Sequence, residues 1–127
     1  MSYDLHVVRT KDWADAATAP ITIADVDAVI AADPALGWST SDYVRMRDDG
    51  GVVSTYYMIT WNGEPCFWWY KDQITCAGPD ENQQRKLVKI ARALKAYVVG
   101  DEGERYEIQK SFLGREKLVV VPEDHSP

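Results

Sequence analysis

Polar and apolar residues alternate from Tyr3 to Arg9, with Tyr3, Leu5 and Val7 on one side and Asp4, His6 and Val8 on the other. That period of two predicts an opening β-strand. Residues 10–20 lose the period and carry Ala, Thr, Asp and a Pro, which predicts a connecting loop with Trp13 anchored in the core. The spacing then becomes helical. Ile23, Val26, Val29 and Ile30 recur on one face, Thr22 and Asp25 approximate a capping box, and Pro34 marks the stop. After a linker from Gly37 to Ser41, the stretches 43–46 and 52–61 flank the turn cluster Asp48-Asp49-Gly50-Gly51, which predicts a hairpin.

The densest pattern lies between Tyr56 and Tyr70, where seven aromatics surround the dipeptide Asn62-Gly63. Asn-Gly suits the two positive φ angles of a type I′ turn, so this stretch predicts a second hairpin. With Asn62 and Gly63 as its loop, Trp61 opposes Glu64, Ile59 opposes Cys66 and Tyr57 opposes Trp68, all on one face. Tyr56, Met58, Phe67 and Trp69 then form the other face, which is as apolar as the first. One face packs on the protein's own helices. The second is a candidate partner surface, with burial by the loop 10–20 or by a homodimer mate as the plain alternative. Consecutive strands joined by short turns give an antiparallel meander with the aromatic pair at its centre.

Asp80 after Pro79 opens the clearest helix, in which Leu87, Ile90, Ala91, Leu94 and Val98 trace one apolar stripe. Arg85, Lys89 and Arg92 lie on the opposite face and read as an ordinary solvated surface, with Glu81 four residues before Arg85. Val98-Val99, Arg105 to Gln109 and Leu118 to Val121 read as short strands, separated by Gly100-Asp101-Glu102-Gly103-Glu104 and by Leu113-Gly114-Arg115. The order predicts an α+β fold: one domain over residues 1–122, an antiparallel sheet with a central aromatic hairpin and two helices packed on one face, then a disordered tail over residues 123–127.

Composition narrows the function classes. The 127 residues suffice for one core that buries roughly two-thirds of the unfolded surface. A net charge of −6 opposes nucleic-acid binding, which depends on clustered Lys and Arg, and favours a basic protein partner. Residues 1–50 hold nine acidic and four basic side chains, so most of the excess lies there. The start of the chain has neither a basic n-region nor an apolar stretch, and no apolar run spans a bilayer, so the expectation is a cytoplasmic protein with no membrane contact. Cys66 and Cys76 are too few for a disulfide scaffold and read as buried thiols.

Candidate chemistry is sparse. A nucleophilic cysteine needs a base, and Cys66, His6 and Asp4 could meet across the sheet, although the aromatic setting favours packing. His125 lies in the tail. Zinc is excluded because the four Cys and His residues are far apart, and Asp42, Asp48 and Asp49 fit turn chemistry better than a calcium loop. The Gly100–Glu104 segment lacks the spacing of a nucleotide loop and carries carboxylates that repel phosphate. No catalytic motif, metal site or cofactor is therefore expected.

The opening Met1-Ser2-Tyr3-Asp4-Leu5-His6-Val7-Val8, taken with the stretch from Ala91 to Tyr106, resembles a loose set of small uncharacterised bacterial proteins. These begin with a similar strand and end with a helix, a strand and a Gly-Asp-acidic-Gly-Glu turn. Some look like immunity proteins of polymorphic toxin systems. The resemblance implies a non-enzymatic cytosolic protein that occludes a cognate toxin, and it transfers no catalytic residue. On this reading Asp48, Asp49, Tyr56 and Trp69 form the partner surface, the acids steering and the aromatics holding. The alternatives are a small-ligand or enzymatic domain with a pocket at the aromatic sheet, with Cys66 or His6 inside it, and a structural homodimer.

Overall fold

The alternation that opens the chain becomes β1 (Asp4–Val8), with Leu5 and Val7 buried on one face and His6 and Val8 on the other. The computed structural model describes residues 3–39, 44–47, 50–51 and 53–122. A 3-10 turn over Trp13–Thr18, capped by the Asp12 carboxylate on the Ala14 amide, interrupts the predicted loop. It leads to α1 (Ile23–Ala32), whose Thr22–Asp25 capping box forms as its sequence predicts. Next come β2 (Leu36–Trp38), β3 (Val44–Arg47), β4 (Val53–Trp61), β5 (Glu64–Tyr70) and β6 (Gln73–Ala77). The chain closes with α2 (Glu81–Ala93), β7 (Tyr97–Gly100), β8 (Arg105–Lys110) and β9 (Glu116–Val121).

The described strands form one antiparallel sheet in the order β2-β4-β5-β6-β1-β7-β8-β9, with β3 on the first half of β4. The fold is α+β. Val26 of α1 and Leu87, Ile90 and Ala91 of α2 share one core with Leu5, Val7, Phe67 and Ile74 of the sheet, so both helices cover the same face. Among the described residues no helix is long and apolar enough to cross a membrane. Residues 48, 49 and 123–127, which carry the predicted acidic turn and tail, lie outside the described residues.

Four expectations are corrected. The aromatic hairpin β4–β5 lies toward one end of the sheet, because β6 continues the meander and leaves the middle to β1. The turn into β6 uses Lys71 and Asp72 at φ 47° and 70°, the left-handed geometry of a type I′ loop without an Asn or Gly to announce it. Leu36–Trp38, within and beside the expected linker, is a strand on β4. Val98 belongs to β7, not to the helical stripe: α2 ends at Ala93, where Lys95 at φ 54° reverses the chain. The Ala96 and Lys95 amides then donate to the carbonyls of Ala91 and Arg92, a Schellman closure.

The fourth correction is the hairpin register. Trp61 opposes Glu64 and Thr60 opposes Pro65 as predicted, but Ile59 then opposes Phe67 and Tyr57 opposes Trp69. A bulge at Cys66 adds one residue to β5, which moves every later side chain to the other face. The gain is in burial: Phe67 is fully enclosed and Trp69 packs against the helix-side core, whereas a regular ladder would have turned both to the opposite face.

Phe67→Ala costs ~3–5 kcal/mol of stability by emptying the bulge-selected core position, against about 1 kcal/mol for Cys66→Ala, as read from urea midpoints. Asp72→Gly raises stability by about 1 kcal/mol, because glycine adopts the left-handed turn without the steric penalty of a Cβ, with the urea m-value unchanged.

Candidate functional site

Polar chemistry concentrates where β1 meets the turn after β7. His6 projects from the sheet face opposite the helices and is only 6% exposed. Its Nε2 lies 2.8 Å from Asp101 Oδ1 and its Nδ1 lies 2.9 Å from Gln73 Oε1. Gln73 Nε2 donates to the Trp13 carbonyl at 3.3 Å, which turns its oxygen toward the imidazole. Both ring nitrogens therefore face side-chain oxygens. The Trp13 indole stacks on the imidazole at 4.7 Å and 11° and donates its N–H to the Asp101 carbonyl.

Asp101 also accepts the Asp4 amide at 3.0 Å. Next to it the Tyr3 hydroxyl donates to Glu104 and accepts the Glu102 amide. Gly100 leaves room for this bond, since a Cβ would sit 2.0 Å from the Glu104 carboxylate and displace it from the Tyr3 hydroxyl. The Gly-Asp-Glu-Gly-Glu turn thus grips the start of β1. Partial burial raises the Asp101 carboxyl, but the His6 bond, the Asp4 amide and the imidazole charge outweigh it and hold it below the ordinary aspartate range. Burial first, and then Glu104, push the Tyr3 phenol up to about 12.

Thr75 Oγ1 lies 3.4 Å from His6 Nδ1, so a hydroxyl, an imidazole and a carboxylate stand in a row. A nucleophile of this kind needs a base that substrate can approach. Here Gln73 holds Nδ1 more closely and Trp13 covers the ring, so the cluster fastens the 3-10 turn to the sheet. The trio of Cys66, His6 and Asp4, which sequence allowed but did not favour, does not assemble. Cys66 packs on the helix-side core while His6 occupies the opposite face. Burial pushes the Cys66 thiol up to about 11 and the Cys76 thiol up to about 12, which opposes thiolate formation. Among the described residues no three His, Cys, Asp or Glu side chains converge in a group that could hold a metal ion.

The second candidate is the aromatic face. Tyr56 and Tyr70 stack across β4 and β5 at 3.9 Å and 18°, with the Lys71 ammonium 5.2 Å from the Tyr70 ring. Met58 opposes Trp68 beside them, and all four side chains are half-buried. The 3-10 turn covers the neighbouring part of this face, packing Trp13 and Ala16 on Val8 and Val99. Loop 10–20 therefore buries one portion of the second apolar face, as sequence reasoning allowed.

The bulge separates the two aromatics expected together at the partner surface. Tyr56 is on the face away from the helices. Trp69 is half-buried on the helix side, where its indole N–H donates to the Ile21 carbonyl at 2.7 Å. Asp48 and Asp49 are outside the described residues. Sequence reasoning missed the His6–Asp101 pair because 95 residues separate the partners. The only local signal was an alternating strand that turned a histidine toward an apolar face.

Asp101 generates a pH prediction. Its carboxyl sits lower in the folded state than in the unfolded chain, so it contributes stability above the ordinary aspartate value near pH ~4 and loses that contribution as pH falls through the folded value. Asp101→Asn lowers stability at neutral pH and flattens the acid limb of the stability curve between about pH 5 and 2, as checked by urea unfolding across that range.

Comparison with protein-family models, with curated proteins and with solved structures finds no match for this chain, so its function is argued from these surfaces.

Proposed function

We propose that the protein is a non-enzymatic binding module that docks a protein partner on the aromatic face of β4 and β5. One observation carries this reading: Tyr56, Met58, Trp68 and Tyr70 stand together on two adjacent strands, away from both α-helices, each partly open to solvent. Aromatic side chains offer large contact area with few torsions to freeze, and they dominate binding hot spots. The Tyr56–Tyr70 stack holds two of them in place before binding, which reduces the entropy lost on association.

The mechanism is occlusion. The partner's surface is covered and no bond is made or broken. A net charge of −6, concentrated in the first fifty residues, steers the protein toward a basic partner. The resemblance of the opening strand and the acidic turn to immunity-like proteins supports a narrower version, in which the partner is a toxin and the covered surface its active site. Asp48 and Asp49 then steer, and Tyr56 holds together with Trp68. Trp69, bonded to Ile21 on the helix side, supports the strand from behind.

The test is affinity capture of the tagged protein from its own cells, followed by titration calorimetry with the purified partner. Tyr56→Ala and Trp68→Ala each weaken binding by 2 kcal/mol or more, roughly thirty-fold, if they are hot spots, and leave the fold intact by circular dichroism. A partner that binds both variants as tightly as the parent chain removes this surface from consideration, and failure to capture any partner removes the binding reading.

A further inference from the structure

Arg85 and Lys89, two of the three α2 cations read from sequence as a solvated face, line with Lys86 a depression of about 480 Å³ beside the β4–β5 turn. Arg85, Lys86 and Lys89 contribute three cations, Asn62 and Asn82 two primary amides, and Trp61 an indole wall. None of these six is acidic, in a chain with 20 acidic and 14 basic side chains. The acids beside the depression are Asp33, Glu81 and Glu64, the last opposite Trp61 across the β4–β5 turn. Asp33 binds the Lys86 ammonium, and Glu81 binds Arg85 at 3.3 Å.

The elements fix these groups. Asn62 sits at the first position of the type I′ turn, at φ 53°, with its amide bonded to the Ala35 carbonyl at 2.8 Å. Trp61 stacks on Phe67 at 6.3 Å and 23°, so its position is set by the core. Lys86 is held between Asp33 and the Trp61 ring, its ammonium 5.9 Å from the centroid. Lys89 is exposed and has no hydrogen-bond or ion-pair partner among the described residues. The Arg85–Glu81 pair is solvent-exposed and exchanges at little cost.

We propose that this depression is a second binding site, separate from the aromatic face, for a small organic phosphate. The donor supply selects the ligand. A guanidinium, two ammoniums and two amide NH₂ groups offer more N–H bonds than the two oxygens of a carboxylate accept, whereas a dianionic phosphate brings three oxygens and twice the charge. The phosphate takes Arg85, Lys89 and the two asparagine amides, with the Lys86 charge behind it. The organic part lies along the Trp61 indole. The volume falls within the range of small-ligand sites.

The test is an NMR titration of the ¹⁵N-labelled protein with phenyl phosphate, and in parallel with inorganic phosphate and with benzoate. The expected result is a saturable shift of the Trp61 indole N–H and the Asn62 and Asn82 side-chain amides at millimolar phenyl phosphate. Inorganic phosphate and benzoate bind at least roughly tenfold more weakly, each lacking one part of the ligand. Lys89→Gln, and independently Asn82→Asp, weaken binding by roughly tenfold, the loss of a charge-assisted bond or the gain of a repelling carboxylate. Both positions are exposed, and an acid in the first turn of α2 favours the helix, so each variant retains its fold by circular dichroism. The proposal is overturned by the absence of saturable shifts, by equal affinity for benzoate or inorganic phosphate, or by unchanged affinity in both variants.

Discussion

A sheet with two apolar faces and only enough helix for one is the constraint on which the rest of the molecule depends. α1 and α2 take the face that carries Leu5, Val7, Phe67 and Ile74, where a continuous core forms. The other face is covered piecemeal. Trp13 and Ala16 shield Val8 and Val99 through a single 3-10 turn. Arg105 lays its guanidinium 4.0 Å from the Tyr97 ring, and Lys71 its ammonium 5.2 Å from Tyr70, so long cationic side chains screen aromatic surface that no element covers. Tyr56 and Tyr70 shield each other by stacking. Such devices reduce exposed apolar area without removing it, and what remains is the material of an interface.

The 3-10 turn depends in its turn on the polar cluster beneath it. Trp13 stacks on the His6 ring as well as packing on Val8 and Val99, and His6 is held by Asp101 at one nitrogen and Gln73 at the other. Buried polar groups of this kind are costly when half-satisfied, which makes the cluster an all-or-none fastening rather than a graded one. Arg9 works in the same way on the helix side. It donates to the carbonyls of Leu94 and Pro20 and to the Asp25 carboxylate, tying the end of β1 to the start of α1 and the end of α2. β1 lies in the middle of the sheet, so its two flanking ties hold the helical layer and the 3-10 turn at once.

What the sequence made legible was whatever local chemistry enforces. Thr22–Asp25 and Asp80 with its following turn mark helix starts because the cap satisfies amides within three residues. Asn62-Gly63 marks a hairpin because few residues adopt two successive left-handed angles. Where the same geometry is carried by Lys71-Asp72, the signal vanished and β6 was missed with it. The bulge at Cys66 was invisible for a different reason: either register of that hairpin is locally acceptable, and only the competition to bury Phe67 rather than Cys66 decides between them. Of the two polar candidates, the His6 cluster needed long-range pairing to assemble. The basic face of α2 was legible as charge but not as a depression, since the Trp61 wall comes from another element.

Charge geometry separates the two surfaces by range. The net −6 of the chain acts on an approaching macromolecule over its whole outline, so a polyanion such as nucleic acid meets repulsion before it meets Arg85 or Lys89. A small anion is different. At physiological salt fields fade over about 8 Å, and the α2 depression is lined by three cations and two amides, with Arg85 and Lys86 paired to Glu81 and Asp33 and the Lys89 charge left over. Local donors then outweigh the distant acids, and each contact is a directional N–H bond rather than a diffuse field. The same screening leaves the acid-rich first fifty residues able to guide a large basic protein, whose many charges sum over the encounter. Under the two proposals, the aromatic face and the α2 depression take partners of opposite sign and very different size, without either competing for the other's surface.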